Sequence, residues 1–357
     1  MTKRFIGAPR RQILKAGAGL AGMAALGMPM LATPSLVRAQ PRGRVVVGTW
    51  GGDYARLLNK NIEQPILIKA GWEVVQDQAG DPQRRSKMLA ERRLPRGTSD
   101  IQALSALNMY QMHEAGVIDM IDFARVPNTP NLLPAMKYPY GIGHIYSGKV
   151  GVYNPKLITA APTSYADVFN PRHGNKLGII DIQYQYTLVC AALAAGGKIN
   201  NLEPGQKLLV DCVKAGARIY PSNEAFAQGL KNEEISIGVM WKARVVQWQN
   251  AEIPVQAFTP REGTLAYVSG FVIPRNAPNK AGGYAYMDAM LDKGAQDNFA
   301  IDMGYMPTVT NAVVAPDLNA RIGFTPEEVK GLVDLDYAYM SEHDARLKDW
   351  WDRSLKS

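Results

Sequence analysis

Near the start of the chain, one short stretch has residue types suited to holding a small molecule: Trp50-Gly51-Gly52-Asp53. Trp50 offers a flat apolar face and a single N–H donor. Gly51 and Gly52 let the backbone approach a ligand closely, at the positive end of a helix dipole. Asp53 is placed either to cap that helix or to meet a cation. The competing reading is an ordinary strand-to-helix turn with a buried tryptophan. Signs of catalysis are weaker. The four histidines, His113, His144, His173 and His343, lie far apart and show no metal-ligand spacing. No GxSxG elbow occurs. Cys190 sits among Leu188, Val189, Ala191 and Ala192, surroundings that suit a packed thiol better than a nucleophile. His144 is the histidine to test, with a structural or rim role expected. Glu233-Glu234 and the Asp334/Asp336 pair read as surface groups. The pattern calls for no catalytic residue, no metal and no cofactor.

The elements that position this turn follow from hydrophobic period. Val45, Val46 and Val47 form the β-branched run of a strand buried on both faces. After the turn, Tyr54, Leu57, Leu58 and Ile62 recur at helical spacing. The turn therefore lies at the carboxyl end of a first strand, where open α/β sheets place ligands. Further strands are predicted at 72–75 and 100–104, and helices at 86–93 and 108–115, the last stopped by Gly116. This β–α order predicts a mostly parallel sheet. Residues 126–133 read as a loop, and 138–153 as two extended strands crossing into a second lobe. There, Thr163 or Ser164 caps a short helix. Strands follow at 177–181, 217–220, 235–241, 255–258 and 265–268, and helices at 184–195, 208–214, 226–232 and 242–248. Residues 271–274 return to the first lobe, with helices at 283–291 and 296–303. From Phe324 onward the chain reads as helical, entered through Thr325-Pro326-Glu327-Glu328: a cap, a proline at the first helical position, then acids in the first turn.

The chain has 357 residues, enough for two domains, and is globular in composition, with 46% hydrophobic and 20% charged residues. Its net charge of +8 is concentrated at one end. Residues 1–39 hold six basic residues and no acid, so the remainder carries only +2, which excludes nucleic acid as a partner. The close pairs Arg84-Arg85 and Arg92-Arg93 read as solvated helix faces. Arg10-Arg11 has the form of a twin-arginine export motif, followed by a mildly apolar run over 16–32 and by Val37-Arg38-Ala39, with small residues at −3 and −1. Residues 1–39 are thus expected to be a signal peptide, with an ordinary Sec signal as the alternative, and the product is expected in the periplasm. The GxGxxG match at 17–22 lies inside that signal with no strand before it, so it is no dinucleotide site. No cysteine stands at the cleavage site to carry a lipid, and no later run is apolar for long enough to span a bilayer. Cys190 and Cys212 either pair in an oxidising compartment or stay as buried thiols.

Taken with Thr49-Trp50-Gly51-Gly52 and Tyr54 after the first strand, several further stretches resemble one family. They are Ala115-Gly116-Val117-Ile118-Asp119 with Val126-Pro127-Asn128, Val152-Tyr153-Asn154, Pro162-Thr163-Ser164-Tyr165-Ala166-Asp167-Val168, Phe271-Val272-Ile273-Pro274 and Gly304-Tyr305-Met306-Pro307-Thr308. In order and spacing, over about 44–312, they resemble the periplasmic solute-binding proteins of ABC transporters, in the spermidine/putrescine-binding branch (extracellular solute-binding family 1). The resemblance implies an α/β, type II periplasmic-binding-protein fold: two lobes, a hinge and an interlobe cleft. It places lobe 1 at 44–148 plus 267–313 and lobe 2 at 149–266 plus 314–357. It also implies a monomer that captures a small-molecule solute by hinge closure and presents it to a membrane permease.

The resemblance also points to site residues. Trp50, Trp241 at the end of the ISIGVMW strand, and Tyr267 fall where that branch has aromatic walls. The acids depart. Ser269 stands where polyamine binders carry an aspartate, and Gln183, Tyr184, Gln185 and Tyr186 follow Asp181 where they carry acids. Asp53 and Asp181 are then the acids expected near the cleft. A long polycation would leave ammonium groups unpaired at several kcal/mol each. A smaller or mixed-charge solute is expected instead: an amino acid, a γ-amino acid or an opine-like compound. Gly51-Gly52, Arg244 or Lys242 would suit its carboxylate, and Asp53 or Asp181 its amine. A solvated helix face competes for Lys242 and Arg244. The candidate ligand-binding set is Trp50, Gly51, Gly52, Asp53, Asp181, Tyr184, Trp241, Arg244, Tyr267 and Ser269. Two alternatives stand beside it: a ferric-ion binder of the same fold using Tyr184 and Tyr186, although no adjacent Tyr-Tyr pair exists, and an exported hydrolase or transferase.

Overall fold

Val45 and Val47 are fully buried in the strand Gly43–Thr49, the first element of a computed structural model that describes residues 42–356. The export-signal reading of residues 1–39 lies outside the described residues. The first strand pairs in parallel with Trp72–Gln78 on one side and Ile101–Ser105 on the other. The helix Gly52–Leu58 follows it and runs on as a π-helix, Asn59–Ile68, around Pro65. The next helix spans Asp81–Glu91, starting five residues before the expected one, because Pro82 at its first turn nucleates it. The helix Ala106–Glu114 ends at Gly116, whose φ of 66° is the left-handed conformation of a helix stop.

The sheet is mixed, not mostly parallel. The strand Thr264–Val272 runs antiparallel both to Ile101–Ser105 and to Gly141–Tyr153. The physical reason is the route of the chain, which comes back from the second lobe against the direction of the strands it joins. The two strands expected over 138–153 are one strand of 13 residues, Gly141–Tyr153. Its first half pairs with Thr264–Val272 and with Met306–Pro307; its second half pairs with Ile237–Trp241 and Gln256–Phe258. Two long strands thus run from one lobe into the other. Where they cross, the register shifts between Ser269 and Gly270. A side chain at Gly270 would put its Cβ 2.2 Å from the Ile142 carbonyl oxygen, so the crossing requires glycine.

Buried side chains gather in two large clusters. One is built on Leu57, Ile62, Met109, Phe271, Tyr286 and Phe299. The other is built on Val152, Tyr165, Leu188, Phe226, Trp248 and Trp351. Trp351 comes from the C-terminal helix Tyr337–Leu355, which packs onto the second cluster. The expected continuous helix from Phe324 is broken. Thr325 caps Pro326–Lys330 in a reciprocal capping box with Glu328, but Leu332–Val333 then pairs with Thr264–Val272 before the last helix starts at Tyr337, capped by Asp336. Gly331, an orphan in helix propensity, ends the short helix, and pairing of Leu332 and Val333 to a strand end replaces further helix. Cys190 and Cys212 are buried free thiols. No helix among the described residues is long and apolar enough to cross a membrane.

Candidate functional site

All ten residues of the candidate set line one cleft of about 1080 Å³. One wall is the Trp50 turn. Gly51 is the extended N-cap of the first helix, and Gly52 takes φ 66°, a conformation costly for any residue with a Cβ. Asp53 does not cap the helix; it pairs with Arg56 at 3.0 Å on the open rim. Trp50 meets Tyr54 edge-on at 5.1 Å, and the Arg84 guanidinium stacks 4.6 Å from its ring centre.

Arg84 is a correction to the sequence reading. It is 1% exposed, not on a solvated face. The strand ends converge on it: its guanidinium donates to the carbonyls of Ala79 (2.9 Å), Gly48 (3.4 Å) and Ala103. It pairs with Asp81 at 2.6 Å, and the same carboxylate accepts from Asn108 at 2.6 Å. Burial raises the Asp81 pKa and lowers that of Arg84, each partly offset by the other's charge. Asp81 lines the cleft, as does Glu224 on its exposed rim, so Asp53 and Asp181 are not the only acids there. The signal for Asp81 was local: Gly80-Asp81-Pro82 is a helix entry that points a carboxylate at the strand ends.

The facing wall is a run of rings. Trp241 lies 4.6 Å from Tyr267 and 4.7 Å from Tyr186, and Tyr267 lies 6.0 Å from Tyr305. Tyr54, Tyr186 and Tyr305 were not singled out as walls from sequence, yet all three line the cleft. Behind Trp241 stands Lys149, fully buried, its ammonium nitrogen 4.4 Å from the indole centre and donating to Gln183. Burial pulls its pKa down to about 7. The register shift at Ser269 turns its hydroxyl into the cleft, where it is buried without a partner.

Arg244 reaches the cleft from the helix that starts directly after Trp241. Lys242 does not. It turns away to donate to the Gly323 carbonyl and to stack on Phe324 at 4.6 Å, because its position on the helix faces the 316–330 segment. Asp181 lines the cleft but is already engaged, accepting from the Trp351 indole at 2.7 Å and from Lys356 at 2.8 Å. Tyr184 donates to Asp344. His144 is in the core rather than at a rim: it is fully buried, 2.9 Å from the Tyr54 hydroxyl and 4.6 Å from the Phe299 ring, and burial pulls its pKa down to about 3. Burial pushes the Cys190 thiol up to about 12.

This chain belongs to the bacterial extracellular solute-binding proteins, whose family model matches residues 64–326. It is 25% identical over 245 residues to the spermidine/putrescine-binding periplasmic protein of Salmonella typhimurium, covering 65% of this chain and 67% of that one. In structure it is similar to a GABA receptor, with a TM-score of 0.76 and 19% identity, covering 88% of this chain and 98% of the other. It is similar also to the PBP AgtB of A. tumefaciens R10 in complex with agropinic acid, with a TM-score of 0.73 and 18% identity, covering 88% and 99%. The fold is the type II periplasmic-binding-protein fold, two α/β lobes about a cleft, and the solute-binding role that the resemblance implied stands with the family.

Proposed function

We propose that this chain captures a small polar solute between its aromatic walls and releases it unaltered to a membrane permease. One observation carries the reading: ten residues chosen from sequence converge on a single cleft with aromatic rings on both sides. Lobe 1 is taken as 44–148 plus 267–313 and lobe 2 as 149–266 plus 314–357, the long strands Gly141–Tyr153 and Thr264–Val272 serving as the hinge. Trp50 on one wall and Trp241 with Tyr267 on the other close on the ligand, which favours the closed state by the contacts it makes only there. Export by the twin-arginine route would deliver the folded monomer to the periplasm.

The solute is a mixed-charge compound of the amino-acid or opine-like class rather than a long polyamine. The relatives named above are said to bind spermidine and putrescine, GABA and agropinic acid, so this fold accommodates all three kinds. In this chain the carboxylates of Asp53, Asp81 and Asp181 already hold cations, which leaves Glu224, on the exposed rim, to receive a row of ammonium groups. Ferric binding is disfavoured because burial raises the phenol pKa of both Tyr184 and Tyr186, whereas a ferric ligand must be phenolate. The buried, high-pKa Cys190 supports no nucleophilic role.

A thermal-shift screen of amines, amino acids and opines tests the reading, because a ligand of the native state raises the melting temperature. At least one class is expected to raise it, and Trp50→Ala to abolish the rise. No shift with any class, or chemical conversion of the solute, would refute it.

A further inference from the structure

The charges that line the cleft are unequally satisfied. Asp53 pairs with Arg56 at 3.0 Å, Asp81 with Arg84 at 2.6 Å, and Asp181 with Lys356 at 2.8 Å. Arg85 and Arg244 have no carboxylate partner among the described residues. Neutral groups hold them instead: Arg85 donates to Gln111 Oε1 at 2.7 Å, and Arg244 donates to Gln247 Oε1 at 3.0 Å and meets the Tyr305 hydroxyl. The Nε of both is buried with no partner, and so is the Ser269 hydroxyl. All three residues line the same cleft.

A guanidinium can only donate hydrogen bonds and never loses its charge. A buried Nε–H without an acceptor is costly, and a half-buried cation without a counter-charge more so. The missing partners are therefore acceptors with negative charge. Carboxylates match, because their two oxygens accept from the planar guanidinium fork. An ammonium group would set donor against donor at both positions.

We infer that the solute is a small organic acid with two carboxylates, one held by Arg244 and Ser269, the other by Arg85. Its carbon skeleton lies against the rings of Trp50, Trp241 and Tyr267. The inference rests on the solute-capture reading and narrows it to one chemical class. The two arginines come from different helices, Asp81–Glu91 and Lys242–Asn250, so an acid with a carboxylate on each draws the two together. The ion thereby supplies the differential contact that closure needs.

Calorimetric titration of the full chain tests this with glutamate, 2-aminoadipate and an imino diacid, each beside its diamide, and with spermidine and putrescine. The acids are expected to bind, and the diamides to bind at least about 100-fold more weakly, on the scale of two charge-assisted hydrogen bonds. Arg244→Gln and Arg85→Gln should each weaken the acids about 10- to 100-fold. Neither variant should lower the melting temperature of the ligand-free protein, because each removes an unpaired buried cation; a purely structural arginine would lower it. Diamides or polyamines binding as tightly as the acids, with Trp50→Ala still abolishing the binding, would overturn the dicarboxylate inference and leave solute capture standing. Wild-type affinity for the acids in both arginine variants would overturn it too. Absence of binding by every compound, in a chain that unfolds cooperatively, would overturn both.

Discussion

Replacing Arg84 by methionine keeps the aliphatic stem and removes the guanidinium. Three consequences follow from the geometry. The Asp81 carboxylate, 17% exposed, keeps only its bond from Asn108. The carbonyls of Ala79, Gly48 and Ala103 lose a donor where strand ends meet. The Trp50 ring loses the cation stacked against it. Breaking a buried ion pair from one side costs about 3–5 kcal/mol, and the partial access of Asp81 to the cleft places this case near the lower figure. The orphaned carbonyls add about 1 kcal/mol, for a total of about 4 kcal/mol. The loss depends on pH. Without Arg84, burial raises the folded-state pKa of Asp81 further above its unfolded value, so the folded chain binds the extra proton. The variant's stability is then retained at low pH and lost as pH rises through that window. Urea unfolding followed by circular dichroism should give a larger deficit at pH 7 than at pH 4.5, and Asp81→Asn in the same chain should recover much of it. A deficit below about 1 kcal/mol, or one equal at both pH values, would refute the view that Arg84 is the buried cation on which the first wall is built.

Other outcomes are expected. His144 is neutral when folded down to about pH 3, so below its ordinary value of 6.5 the unfolded chain takes a proton that the folded chain refuses; stability falls by up to about 1.4 kcal/mol per pH unit, and His144→Gln should flatten that slope in acid unfolding curves. Lys149 acts in the same direction over a higher window: between pH 7 and 10.5 the unfolded chain holds a proton the folded one has released, so stability attributable to it rises with pH. Lys149→Met should therefore stabilise the chain at pH 7, by about 2–4 kcal/mol, with a gain that shrinks towards pH 10. Gly52→Ala meets no atom within 4 Å, so its cost is that of the left-handed backbone alone, about 1–2 kcal/mol in denaturant unfolding.

The parts of the fold legible in the sequence are those announced by local signals. The valines of the first strand, the Thr325 cap with Glu328, and the glycine stop at Gly116 all worked because the signal and its partner lie within a few residues. Trp50 directly follows, and Trp241 ends, a strand that its own apolar run identifies, and the resemblance marked both places for aromatic walls; both rings line the cleft. Arg84 and Lys149 were not legible. Beside Gln83, Arg85 and Ser86, Arg84 looks like any residue of a wet helix face; only the meeting of distant strand ends buries it. Lys149 interrupts an apolar pattern in sequence, yet the strand passes through unbroken because Trp241 and Gln183 receive the amine. The unpaired Nε atoms of Arg85 and Arg244 are likewise invisible in sequence, since which nitrogen of a guanidinium finds an acceptor is decided by the packed surroundings and not by the residue type.

The central claim is that two lobes close on a solute they do not change. Small-angle X-ray scattering of the full chain, titrated with a solute that raises its melting temperature, tests it most directly. The account predicts a radius of gyration that decreases in proportion to occupancy, with no decrease in Trp50→Ala at the same concentrations. An identical scattering curve at saturating solute would contradict it.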